Sequence, residues 1–213
     1  MLPEKQLNDA KYTRHTHSYL ALRKAVGWIG ILFPFVLMFG LFILFKGELV
    51  QQSISHYYHT RMGDVFVGAL CAIALFMFFY TGYDKWDDWA GNAAGFFALG
   101  VAWFPTTETG PSSWIGKIHF TSATLLFITL TIFSLWLFTK KEPNPTPQKL
   151  KRNTIYRICG LIMIVCLIAI AIYMNFIQND SSESSFVFWA ETTALVAFGV
   201  SWLTKGEAIY PDK

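Results

Sequence analysis

Charge is what this sequence has least of. Asp, Glu, Lys and Arg make up 15% of its 213 residues, against about 25% in an ordinary soluble domain. The formal net charge is only +3, and the basic residues are not gathered into a stripe, so nothing invites nucleic acid. Cysteine is scarce as well. Cys71, Cys159 and Cys166 all lie in apolar runs without a CxxC pair, which excludes a disulfide framework and leaves them as small hydrophobes. No HExxH or HxxxH element occurs, so the helical metalloprotease pattern is missing. No polar stretch is long enough for a separate soluble domain, and the short alternating segments of a membrane β-barrel are absent.

What the chain has is long apolar runs separated by short polar ones. A helix crosses roughly 30 Å of hydrocarbon with about 20 apolar residues. Six stretches approach that: Val26–Phe45 with Pro34 as an expected kink, Val65–Tyr83, Trp89–Phe104, Ile115–Phe138, Ile155–Ile177 and Phe186–Leu203. Runs of this kind are helical because lipid offers no partner to open backbone groups. The expectation is an all-α integral membrane bundle of six transmembrane helices over residues 26–205, with a segment 1–25 before it and a tail 206–213 after it. The first run starts far from the N-terminus with no small-residue cleavage site behind it, so it reads as a retained span.

With six spans, all of the 17 Lys and Arg except Lys46, Arg61 and Lys117 fall on one side. The positive-inside rule then places both termini in the cytoplasm. The eight Trp are expected at the interfaces: Trp28, Trp86, Trp89, Trp136 and Trp202 inside, Trp103, Trp114 and Trp189 outside. Gly91 and Gly95 form a GxxxG pair continued by Ala90, Ala94 and Ala98. That pattern allows close helix approach, either within the chain or as the contact of a homo-oligomer. Residues 142–148, with Pro143, Pro145 and Pro147, read as an extended linker. Asp84, Asp87 and Asp88 with Lys85 read as a solvated inner loop.

Unusual residues collect on the outer side. Ser53 to Arg61 carries Ser55, His56, Tyr57, Tyr58, His59 and Arg61; the second outer loop carries Thr107 and Glu108; His119 opens the fourth span and Glu191 lies one to two turns into the sixth. A carboxyl at that depth is costly unless it is paired, protonated or facing water. Ser55, His119 and Glu191 are therefore the candidate catalytic residues, with His119 and Glu191 as an acid–base pair. Tyr57, Tyr58, Arg61, Thr107 and Glu108 suit a lipid headgroup as substrate-binding residues. His56, His59 and His119 supply ligand types for zinc, although their spacing matches no metal motif. The alternatives for each are interfacial anchoring and hydrogen bonds that lock helices together.

The stretch from Ser53 to Thr106, with Ile155–Gly160 (IYRICG) and Phe188–Gly206 (FWAETTALVAFGVSWLTKG), resembles an uncharacterised family of small bacterial polytopic inner-membrane proteins. That resemblance implies a multi-pass protein of the bacterial inner membrane without naming an activity. More distantly, Ser53, Ser55, His119 and Glu191 are similar in placement to a serine-rich signature, a His and a late acidic residue in the six-span family of DRAM autophagy modulators and GPI-lipid remodelling factors. This implies a membrane-lipid partner. Ser55 and His59 also fit the Ser-xxx-His element of the membrane ceramidases and adiponectin-type receptors, but their late HxxxH and seventh span are missing here. The functional expectation is a lipid-associated protein with an outer-leaflet polar pocket. The alternatives are a metal-dependent lipid hydrolase or acyltransferase, a small proton- or ion-coupled transporter or channel, and a structural assembly partner.

Overall fold

The computed structural model describes residues 4–108, 113–140, 143–177 and 184–211, with side chains from 18 onward. Lys141, Glu142 and Lys213 lie outside the described residues. Six α-helices account for nearly all of it, with no strand among the described residues: α1 Glu4–Phe45, α2 Gly63–Phe78, α3 Lys85–Trp103, α4 Trp114–Ile132, α5 Pro147–Ile172 and α6 Phe186–Lys205. A 3₁₀ turn, Ile54–His59, sits between α1 and α2, and π-helical turns Phe133–Leu137 and Tyr173–Ile177 extend α4 and α5.

Four helical stretches are long and apolar enough to cross a membrane: Ser18–Phe45, Trp114–Leu137, Pro147–Ile177 and Phe186–Lys205. Helix α2 is apolar but has 16 residues. Helix α3 carries Lys85, Asp87 and Asp88 in its first turn. By length and composition this is a helical membrane protein.

Several boundaries differ from those read in the sequence. The first helix, Glu4–Phe45, extends well before the apolar run that begins at Val26, and it continues through Pro34 without a break. The second ends at Phe78 rather than Tyr83, because Asp84 starts a new helix. Its side chain and that of Asp87 form a reciprocal capping box, which satisfies orphan N–H groups that would otherwise lack partners. The proline linker is shorter than expected. Thr146 caps α5, its Oγ1 accepting from Lys149 N, and Pro147 is already in the first turn, where its missing N–H costs nothing.

Each helix packs on its neighbours in sequence, and α6 returns to α1, so the six form a closed ring. The α5–α6–α1 and α2–α3–α4 groups pack most extensively, while α1 with α2 and α4 with α5 meet more sparsely. Gly91 and Gly95 lie on the α2–α3 contact. A Cβ at Gly91 would meet the Met77 carbonyl oxygen at 2.8 Å, and one at Gly95 the Ala74 carbonyl oxygen at 3.0 Å. The GxxxG face is thus covered by α2 of the same chain.

One end of the ring is filled with aromatic rings. Tyr80, Phe133, Phe138, Phe198 and Trp202 lie with centroids 5.2–5.9 Å apart. Trp202 is 1% exposed, so it is a core residue and not the interfacial anchor expected. The other seven Trp are exposed. Ser134 Oγ donates to Ser201 Oγ at 2.8 Å, joining α4 to α6 through the middle. At the other end a cavity opens beside the Ile54–His59 turn.

Candidate functional site

The turn is built locally and then pinned. Ser53 caps it, its Oγ accepting from His56 N at 3.3 Å and lying 2.7 Å from His56 Nδ1. Tyr57, fully buried, donates its hydroxyl to the Leu49 carbonyl at 3.0 Å and packs on Phe188. Phe188 N donates to the Gln52 carbonyl. Ile54 N then donates to Glu191 Oε2 at 2.7 Å. A hydrogen bond is worth about 0.5–1.5 kcal/mol net, and here it ties the turn to α6 across 137 residues.

His119 is 3% exposed. Its Nδ1 lies 2.6 Å from the Phe104 carbonyl oxygen. A carbonyl can only accept, so Nδ1 carries a proton, and in the neutral ring Nε2 keeps its lone pair. That Nε2 is buried and has no hydrogen-bond partner.

Ser53, Ser55, His56, Thr106, His119 and Glu191 all face a cavity of about 130 Å³. Its far wall is α5, with Leu167 and Ile170, and the π-helical turn after it, with Met174, so it lies in the sparse α4–α5 seam. Exposed Phe120 and Met174 flank it. A second cavity of about 50 Å³ lies behind, lined by Phe33, Phe66, Leu70, Leu126, Leu130 and Phe198. Ser55, Ala123, Phe127 and Glu191 belong to both. The arrangement is a polar chamber with an apolar recess and a shared wall.

The three candidate catalytic residues, Ser55, His119 and Glu191, are therefore brought to one chamber. His119 Nε2 makes no bond to Ser55; the Ser–His contact in the chamber wall is instead Ser53 Oγ with His56 Nδ1, at 2.7 Å. The substrate-binding candidates are placed differently. Tyr57 is a buried strut, and Tyr58 packs edge-on to Phe66. Thr107 accepts from Ser113 N at 3.2 Å beside the start of α4. Arg61 and Glu108 are exposed, and none of the five borders the chamber. Thr106, which does, was not singled out; its position beside a helix-breaking Pro105 was the available signal. Residues Ser53 and Gln52 also border the chamber.

The imidazoles do not fit a zinc set. His59 Nε2 is 2.8 Å from the Thr106 carbonyl oxygen, and its Nδ1 lies 4.0 Å from Glu108. His56 and His119 each have one nitrogen committed to a protein oxygen. Among the described residues no group of three His, Cys, Asp or Glu is placed to hold a metal ion.

Burial holds the His56 imidazole below its ordinary pKa of 6.5, and His59 and His119 push it further down against the opposing pull of Glu108. The folded chain therefore binds fewer protons there than the unfolded chain. Stability should be full above about pH 6.5 and fall as the pH drops through and below it. Unfolding in detergent between pH 7.5 and 5 should show this slope, and His56→Gln should flatten it. An unchanged slope in that variant would remove His56 as its source.

The class defined so far is a helical membrane protein with a polar chamber at one end of a closed ring. No protein-family model, curated protein or solved structure matches this chain.

Proposed function

We propose that the chain is a six-span membrane protein that binds an amphipathic lipid at this chamber, with both chain ends cytoplasmic and the chamber in the outer leaflet. The distribution of Lys and Arg supports that orientation. Helices α2 and α3, of 16 and 19 residues, reach about 24 and 28 Å at 1.5 Å per residue. With tight turns at their ends they complete the crossings between the four longer spans. The resemblance to bacterial inner-membrane proteins favours that membrane.

The observation that carries the reading is that His119, whose buried Nε2 has no partner, lines the same chamber as Glu191. An orphaned buried acceptor is costly, and here a ligand hydroxyl or amide would satisfy it. Glu191, with Oε2 already committed to the turn, offers Oε1 as a second acceptor. The ligand's polar end is therefore a hydrogen-bond donor. Its apolar part has two places to go: the recess behind Ser55, and the acyl region reached between Phe120 and Met174. Lateral access through the α4–α5 seam suits a molecule that never leaves the bilayer.

The chemistry is consistent with binding first and reaction second. A neutral imidazole with a free Nε2 is a general base for any ligand hydroxyl that docks on it, and Ser55 is one of the protein hydroxyls that share the chamber. A reaction through zinc is not proposed, since the ligand set is lacking.

The test is lipid retention. Wild type purified in mild detergent should carry one co-purified amphiphile, detected by native mass spectrometry. His119→Ala and Glu191→Gln should each weaken retention by roughly tenfold or more, the loss expected from one hydrogen bond to a buried or charged group. Glu191→Gln keeps an acceptor for Ile54 N, so its melting temperature should stay near wild type. Equal retention in all three proteins would dispose of the lipid reading, as would proton flux in liposomes that depends on Glu191 without any bound lipid.

A further inference from the structure

The opposite end of the ring buries a cation without giving it an ion pair. Lys205, the last residue of α6, is 7% exposed. Its Nζ lies 4.3 Å from the ring centroid of Tyr83 and 5.4 Å from that of Phe138. Among the described residues no carboxylate comes within 4.0 Å of it. The charged groups that act on it are Arg23, Lys149 and Arg152, all positive, together with Asp87.

The neighbouring carboxylates are already engaged. Lys140 Nζ holds Asp87 at 2.6 Å and Asp84 at 2.9 Å, and Glu207 lies 3.8 Å from Arg152. Among the described residues Arg23 and Lys205 are left without a carboxylate in salt-bridge range.

Hydrogen-bond donors are left over beside them. Arg23 Nε, the Tyr80 hydroxyl and Trp202 Nε1 are buried without partners. They are neighbours: the Arg23 guanidinium lies 5.6 Å from the Tyr80 ring, and the Tyr80 and Trp202 rings are 5.2 Å apart. Arginine and indole nitrogens can only donate. Asp87 Oδ1 is the one orphaned carboxylate oxygen in the cluster, and it does not offset three donors and a lone ammonium. Ring faces attract a cation but do not replace the hydration it lost. What is missing is a compact anion with several acceptor oxygens.

We infer that this end of the bundle holds a phosphate-type oxyanion, bound by Lys205 and Arg23 with donors from Trp202 and Tyr80. A lysine supplies the point charge and an arginine the directed N–H groups that such an anion takes. The source is either the phosphodiester of an anionic phospholipid, drawn from the leaflet that the basic residues face, or free phosphate.

The full chain in maltoside micelles and phosphate-free buffer separates these. Phosphatidylglycerol, inorganic phosphate, and sodium chloride at matched ionic strength are added in parallel, and the melting temperature is read. A rise of several degrees with phosphatidylglycerol alone assigns the headgroup, and a rise with inorganic phosphate assigns the free ion. Lys205→Met should melt above wild type in phosphate-free micelles, because it removes an uncompensated charge, and should lose the response. Lys205→Arg should keep it. If Lys205→Met does not fold, Arg23→Gln carries the same comparison. A wild type that responds to neither addition beyond sodium chloride, as expected if ordered water satisfies these donors, overturns the inference. So does a Lys205→Met that folds and responds as fully as wild type.

Discussion

Lys140→Met should lower the stability of this protein by about 3 kcal/mol. Breaking a buried pair by removing one partner costs about 3–5 kcal/mol, and the lower end applies because the Lys140 side chain is still 21% exposed. Asp87 is 0% exposed. Its Oδ2 has Lys140 Nζ at 2.6 Å, and its Oδ1 has no partner. Without the ammonium, an ionised carboxyl would sit in the ring interior with no cation in direct contact, Lys205 being near but beyond 4.0 Å. The companion pair with Asp84 is half exposed and contributes little. The check is a double-mutant cycle by denaturant unfolding in micelles. Asp87→Asn keeps an oxygen for the capping box and removes the charge, so it should cost only about 1 kcal/mol. Once Asp87 is neutral, adding Lys140→Met should cost little more. A single Lys140→Met within about 0.5 kcal/mol of wild type, the scatter of ordinary surface changes, would mean that the Lys140–Asp87 pair contributes nothing to folding.

Gly199→Leu is expected to be of similar size by a different cause. Helices α1 and α6 touch backbone to backbone there. A Cβ at position 199 would lie 2.6 Å from the Gly27 carbonyl oxygen and 2.5 Å from Ile31 Cγ1. At Gly27 the reciprocal Cβ would meet the Gly199 oxygen at 2.9 Å. A carbonyl cannot rotate away, so the helices must separate. Overpacking costs typically about 1–3 kcal/mol, and separating two helices that close the ring puts the result at the upper end. Gly68→Ala is the control, since nothing lies within 4 Å of its Cβ position; removing glycine from a helix there should raise stability by about 0.5–1 kcal/mol. The argument fails if Gly199→Leu melts no lower than Gly68→Ala.

Much of the site was legible because ionisable residues are conspicuous in apolar runs. Glu191 and His119 stood out for that reason, and both face the chamber. The neighbours were harder. Tyr57 and Thr106 each stand beside an equally polar alternative, Tyr58 and Thr107, and which of them points inward depends on the tight turn and on where α4 begins. The acidic residues Asp84 and Asp87 were read as a solvated loop. Asp87 is instead a buried ion-pair partner, because Lys140 returns to it from 53 residues later in the chain. The ends of helices were misjudged where a cap decided them: Asp84 stops one helix and starts another, and no hydropathy run records that.

From composition and run length alone, the chain was bound to be helical and of membrane type, because backbone groups in apolar surroundings can only bond within a helix. Which helix meets which, that α4 and α5 meet loosely enough to leave a chamber, and that the orphaned nitrogen of His119 and the carboxyl of Glu191 share it, followed only from packing. Those are contacts between residues far apart in the chain. They are settled by side-chain shape and by the pairing of buried polar groups, neither of which leaves a periodic trace in one sequence.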